Sequence, residues 1–350
     1  MYLTPNSRIV LLMHEGTQST MGKTGLSMLR FSQSPIVAVI DYQSAGQSLA
    51  QLTGIDQPIP IVASLTEALT YTPDVLAIGI APSGGKLPDP WFEEIEQAVK
   101  AGLSIVNGLH TPMADHPALK PWTRPNQWIW DVRQEPPGLT VGTGRARDLP
   151  CKRVLAVGTD MSVGKMSTIL ELHRATLKRG LRSKVIATGQ TNLMLGDDGI
   201  PLDAIRVDYA SGAVEGELIK YGYDHDILFV EGQGSLLNPS STATLPLLRG
   251  SQPTHLVLVH RAEQTHIYNC PQVKIPDLRC VVDLYEQVAT AGGAFYPSPV
   301  VAIALNTGQL SSDAADRAIA QTEATTGLPC TDIFRYGAET ILDPILASAD

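Results

Sequence analysis

Charge is sparse in this 350-residue chain: Asp, Glu, Lys and Arg make up 17% of it, and nowhere do lysines and arginines gather into a basic strip. Nothing here would track a phosphate backbone, and the net charge of -9 further disfavours nucleic acid and anionic membranes as partners. Aromatic residues, at 5%, are too few to build stacking platforms for single strands. Cysteine is scarcer still. Cys151, Cys270, Cys280 and Cys330 form no C-x-x-C pair and are too few for a disulfide framework, so we read them as reduced thiols of a cytoplasmic protein. No apolar run approaches the roughly 18 residues of a membrane helix, and the run from Ile9 to Met13 is too short for the apolar part of a signal peptide. What the chain has in quantity is apolar residues, 43% of the total, enough for a large core in about two domain lengths.

Apolar runs rich in β-branched residues alternate with helical stretches. The first series is Ile9 to Met13, Ile36 to Ile40, Val75 to Ile80 and Ser104 to Val106, with a helix over Trp91 to Lys100 stopped by Gly102. This alternation implies β-α-β units and a parallel sheet. Pro136, Pro137, Gly138, Gly142, Gly144 and Pro150 then interrupt the pattern, placing a boundary between domains 1–147 and 148–350. A second series follows at Val154 to Val157, Lys184 to Ala187, Ile227 to Val230, Leu256 to Val259 and Val300 to Leu305. These runs are continuous rather than alternating, as in strands covered on both faces, and predict a doubly wound parallel sheet. Helices are expected over Ser167 to Arg179 and Asp313 to Thr325.

The stretch Gly158-Thr159-Asp160-Met161-Ser162-Val163-Gly164-Lys165-Met166-Ser167-Thr168 lies between the first strand of the second series and its helix. A phosphate needs inward main-chain N–H groups, glycines that permit close approach, a helix N-terminus and a lysine, and all four are present. The glycines are separated by five residues, one more than in the common P-loop. The position after the lysine, usually a Mg²⁺-binding Ser or Thr, is Met166, so metal binding is expected to be altered or absent unless Ser167 or Thr168 substitutes.

Other strand ends point to the same edge. Glu231 closes the third strand of this series and precedes Gly232-Gln233-Gly234-Ser235, over the crevice where open α/β sheets bind ligands. Asp160 either faces a ligand or caps its own turn. His260 and Arg261 follow the fourth strand, with His266 beyond. Asn306 sits where a base amide is read, or merely makes a turn, and Gln190 follows the second strand. In the first domain, Gly16 to Thr24 repeats the glycine-lysine spacing after a strand, which suggests a second P-loop. Against that, Pro35 follows soon and no acidic residue ends the later strand. Ser83 to Gly85 and Asn107 to His110 read either as the rim of a cleft or as plain turns.

These residues carry two resemblances. Thr159-Asp160, the five-residue spacing and Val230-Glu231-Gly232 resemble dethiobiotin synthetase over the P-loop domain. Nearly the whole chain is similar to a two-domain P-loop family long catalogued as a domain of unknown function, which includes D-glutamate N-acetyltransferases. That likeness rests on Lys23-Thr24-Gly25 with Leu29-Arg30, Asp131-Val132-Arg133, Gly158 to Thr168 with its Lys-Met pair, Thr188 to Thr191, Glu231 to Ser235 and His260-Arg261. It implies a Rossmann-like N-terminal domain and acetyl transfer from acetyl-CoA to the amino group of a D-amino acid, with coenzyme A phosphates at the P-loop and no metal.

On that reading, Gly158, Thr159, Asp160, Ser162, Val163, Gly164, Lys165, Met166, Ser167 and Asn306 bind the nucleotide moiety. Glu231 and His260 are the base candidates, since an attacking ammonium must lose a proton. Main-chain amides from Gly232 to Ser235 serve the oxyanion. Arg261, Lys23, Gln190, Gln233 and Ser235 are the substrate-binding candidates. The alternatives are an ATP- and Mg²⁺-dependent ligase or carboxylase of the dethiobiotin synthetase kind, and a nonenzymatic nucleotide switch. A two-fold homo-oligomer is the default expectation.

Overall fold

The structure, a computed structural model, describes residues 3–82 and 87–347. Ser83 to Gly85 lie outside the described residues. The chain groups into two units, Met1–Gln134 with Gln190–Asp197, and Glu135–Gly189 with Asp198–Asp350.

The first unit is built on β1 (Ile9–Leu12), β2 (Ile36–Ile40), β3 (Ile61–Val62), β4 (Val75–Ile78), β5 (Ser104–Asn107) and β6 (Ile129–Asp131). They form one parallel sheet in the order β3-β2-β1-β4-β5-β6. Strands β1, β4 and β5 are buried at every position, and β1 and β4 are accordingly continuous apolar runs. Helix Lys23–Phe31 connects β1 to β2, and helix Asp89–Ala101 connects β4 to β5, ending at Gly102 with φ 101°. The strand order reverses between β1 and β4, a switch point at whose carboxyl edge α/β folds bind ligands.

The second unit contains β7 (Lys152–Gly158), β8 (Ser183–Ile186), β9 (Ile227–Val230), β10 (His255–Arg261), the hairpin β11 (His266–Ile267) and β12 (Cys270–Lys274), then β13 (Val300–Asn306) and β14 (Cys330–Thr331). Its main sheet is parallel, in the order β14-β13-β10-β7-β9-β8. Leu155, Val157, Leu228, Val230, Leu256 and Leu258 from the strands pack with Val214, Leu218, Val281 and Tyr285 from the covering helices. Each such side chain contributes on the order of 2 kcal/mol by leaving water. Register aligns the functional edge: Gly158 pairs with Val259, and Arg261 with Asn306.

The structure differs from the sequence reading at several points. The short strands β3, β6 and β14 were not expected, because two or three residues make no hydrophobic run. The helix after the P-loop spans Lys165–Lys178 and so begins at the lysine rather than at Ser167. The units divide at Gln134 and Glu135, ahead of the Pro- and Gly-rich stretch, because that stretch is pinned to the helix Val207–Tyr221. The Glu215 carboxylate accepts from Thr143 N, Thr143 Oγ1 and Arg145 N, and Glu135 pairs with Arg206 at 2.7 Å. Among the described residues no helix is long and apolar enough to cross a membrane. All four cysteines are free thiols.

Candidate functional site

The carboxyl edge of β7 turns into a loop with two left-handed residues, Ser162 (φ 56°) and Gly164 (φ 121°). Glycine takes such a conformation freely, whereas at Ser162 it is local strain of the kind stored at binding loops. The following helix has Gly164 as its N-cap, with no side chain capping it. Among the described residues the main-chain N–H groups of Ser162, Val163, Gly164 and Met166 make no hydrogen bond. A helix start leaves its first N–H groups without intrahelical partners, and together with the helix dipole they form an anion site. Lys165 is 6% exposed, and its Nζ donates to the Asp160 carbonyl at 2.8 Å across the loop.

Several predicted ligand residues brace this loop. Asp160 is 1% exposed; one oxygen accepts from Met161 N and Asn238 Nδ2, the other from Gln264 Nε2 and Tyr268 N, all at 2.7–2.8 Å. Burial works against its charge, but these bonds outweigh it and hold the carboxyl below its usual pKa. Asn306 Nδ2 donates to the Val163 carbonyl at 3.0 Å, and its Oδ1 accepts from Gly308 N at 3.1 Å. Arg261 donates to the Ser162 carbonyl at 2.7 Å. Thr168 donates to the Gly164 carbonyl, whereas the Ser167 hydroxyl makes no hydrogen bond among the described residues.

His260 is 8% exposed, and its Nδ1 lies 2.8 Å from Thr159 Oγ1. Burial and the Arg261 cation push its pKa down to about 4, so the ring is neutral at pH 7. Glu231 is 3% exposed. Its Oε2 accepts from Thr188 N at 2.9 Å and Gly189 N at 3.0 Å, and Gln233 Nε2 reaches Oε1 at 3.3 Å. Gly232 is forced to be glycine: a Cβ there would overlap the Ala156 carbonyl and lie 2.9 Å from Lys165 Cδ. The Gly232, Gln233 and Gly234 N–H groups make no hydrogen bond among the described residues, whereas Ser235 N donates to Ser241 Oγ at 3.2 Å. The expected oxyanion amides thus narrow to Gly232 through Gly234.

Lys23 and Gln190 fall in the first unit, and every other predicted site residue in the second. The loop before Lys23 closes on itself, with Gly16 N bonded to Met13 O, Ser19 N to Gly16 O and Gly22 N to Ser19 O. Its glycines resemble the phosphate loop in spacing but not in free amides. Asn107 makes a turn, its Nδ2 donating to Thr111 O and its Oδ1 accepting from Leu109 N. Residues not singled out from sequence include Asn238, Gln264 and Tyr268, which hold Asp160, and Tyr285. The fully buried Tyr285 hydroxyl donates to the Gly158 carbonyl at 2.7 Å and accepts from Leu236 N, joining the two glycine loops. Nothing marked it out: on its helix, Leu278–Thr290, it is one more apolar-face residue.

A Rossmann-like unit followed by a parallel sheet with a cradle of main-chain amides before a lysine-headed helix defines a P-loop protein of two α/β domains. The chain belongs to the family described as a domain of unknown function, DUF1611, whose Rossmann-like domain matches residues 42–135 and whose P-loop domain matches residues 140–342. A DUF1611 family protein from Anabaena variabilis, known from a crystal structure at 2.30 Å, is 60% identical with a TM-score of 0.96, over 98% of this chain and 100% of that one. A D-glutamate N-acetyltransferase from Tritonibacter scottomollicae is 35% identical over 286 residues, covering 81% of this chain and 84% of the relative. Another from a Pseudoalteromonas species is 32% identical over 293 residues, covering 83% and 85%.

Proposed function

We propose that the protein is an N-acyltransferase that moves the acetyl group of acetyl-CoA to the amino group of D-glutamate. The observation that carries this reading is the set of unbonded amides at Ser162, Val163, Gly164 and Met166 ahead of Lys165, in a chain that aligns over most of its length with two D-glutamate N-acetyltransferases. Such a cradle suits the phosphates of coenzyme A, with Lys165 leaving the Asp160 carbonyl to meet them.

His260 is the proton acceptor. In the tautomer whose Nδ1–H donates to Thr159, Nε2 presents a lone pair and makes no hydrogen bond among the described residues. Glu231 instead fixes the Thr188-Gly189 turn. The amine's lone pair forms the new C–N bond, charge on the carbonyl oxygen is met by N–H donors such as Gly232, the C–S bond breaks, and the thiolate leaves to take up a proton. Arg261 braces Ser162 and keeps a positive charge beside the loop. ATP-dependent chemistry has less support from the donor set. Met166 offers no hydroxyl, and both Asp160 oxygens are committed to N–H donors.

Thermal unfolding with acetyl-CoA and with Mg-ATP separates the two. At a hundred times its dissociation constant the true ligand adds about 2.7 kcal/mol of stability, and Lys165→Ala abolishes that gain. Thiol release from acetyl-CoA should require D-glutamate and fall by roughly 10² to 10⁴ in His260→Ala. Stabilisation by Mg-ATP alone, or full turnover in both His260→Ala and Glu231→Gln, would overturn the reading.

A further inference from the structure

We infer that Tyr285 is a positioning residue of the transfer reaction. Its one hydroxyl holds the loop that carries the Gly232 to Gly234 amides and, through Thr159, the His260 ring in a common frame. The chemical roles of those groups rest on the acyl-transfer reading above; the link between the two loops does not.

The place for such a link follows from the sheet. Strand β9 pairs with β7 only as far as Val230 opposite Leu155, whereas β7 runs on to Gly158. Past Val230 the chain turns off through Gly232, so close to β7 that a Cβ there would overlap the Ala156 carbonyl. Two residues further along β7 the ladder on that side has ended, and the Gly158 carbonyl accepts the Tyr285 hydroxyl instead, at 2.7 Å. The same oxygen accepts from Leu236 N at 3.2 Å, where the departing loop passes. Tyr285 is fully buried on the apolar face of its helix, where a phenylalanine would fill the same space. A buried hydroxyl has to be satisfied, and here both partners lie in the two glycine loops.

The residue after Gly158 carries the link onward. Thr159 N donates to Val259 O at 3.2 Å, and Thr159 Oγ1 lies 2.8 Å from His260 Nδ1. The tyrosine oxygen therefore stands between the proton acceptor and the oxyanion amides. The phosphate cradle has braces of its own: Asn238, Gln264 and Tyr268 on Asp160, Asn306 on the Val163 carbonyl and Arg261 on the Ser162 carbonyl. Removing the hydroxyl should therefore slow the chemical step and spare donor binding.

The test compares the full-length wild type with Tyr285→Phe and with Val281→Ala, the latter a cut at a buried apolar position of the same helix and core. Three quantities are read: amide hydrogen exchange over residues 232–237 in the free protein, acetyl-CoA affinity by titration, and kcat for thiol release with D-glutamate. Tyr285→Phe should speed exchange in that segment, leave acetyl-CoA affinity unchanged and lower kcat roughly ten- to hundredfold, as for a slight misplacement of reacting groups. Val281→Ala should match wild type in exchange of that segment and in kcat. Unchanged exchange or a wild-type kcat in Tyr285→Phe overturns the inference, and so does a loss confined to acetyl-CoA affinity. An equal fall of kcat in Val281→Ala overturns it too, since the tyrosine would then serve the core alone. If no protein, wild type included, releases thiol while Tyr285→Phe alone loosens residues 232–237, the link stands and the acyl-transfer reading falls.

Discussion

His260 shows how a single residue's surroundings set both chemistry and stability. Its pKa of about 4 lies below the 6.5 it has when solvated, so the folded protein favours the neutral ring. The unfolded chain therefore binds more protons between those values, and the stability His260 contributes is complete above pH 6.5 and lost as pH falls toward 4. For this 8%-exposed side chain the loss at pH 5 is about 2 kcal/mol. His173, also pushed down to about 4 chiefly by burial, acts in the same direction. Urea unfolding at pH 7 and pH 5 should show a smaller pH difference in His260→Gln than in wild type. An unchanged difference would mean that the ring is solvated or protonated in the folded state. That His260 ends a buried strand was legible from its apolar run. That Thr159 would hold its ring was not, because the two residues are distant in sequence and meet only through the β7–β10 register.

Among the elements, the phosphate loop was the most legible, since glycine spacing, a lysine and the strand-to-helix transition all lie within one short stretch. The roles of its neighbours were not. An acidic residue in such a loop reads equally well as ligand-facing or structural, and the donors that decide for Asp160 come from Asn238 and from the hairpin region of Gln264 and Tyr268. The hairpin β11–β12 is thus tied to the loop through one carboxylate. Asp160→Ala would leave two main-chain N–H groups and two side-chain amides without their acceptor. It should cost at least about 2 kcal/mol in denaturant unfolding and weaken acetyl-CoA roughly tenfold through loss of loop order. Wild-type stability and affinity in this variant would show that the loop keeps its shape without the brace.

Across the whole molecule, two α/β units follow in chain order as the alternating pattern indicates, but the chain is not partitioned as simply as one boundary suggests. The segment Gln190–Asp197 lies inside the sequence of the P-loop unit and groups with the first. Only its composition was visible in the sequence, and a polar turn such as Gly189-Gln190-Thr191 gives no sign of which sheet it serves. Met194 is fully buried and Leu193 is 7% exposed, so a fragment ending at Gln134 loses the cover of two apolar side chains as well as the Thr191 partner of Thr24. At about 1.5 to 3 kcal/mol for each buried side chain, that is a large share of the stability of a small domain. Residues 1–134 expressed alone should unfold at low temperature or aggregate, and a synthetic peptide spanning residues 188–199 should raise the unfolding midpoint in a concentration-dependent manner. A fragment that unfolds cooperatively at high temperature and ignores the peptide would show that the segment is a passenger on the first unit rather than part of its core.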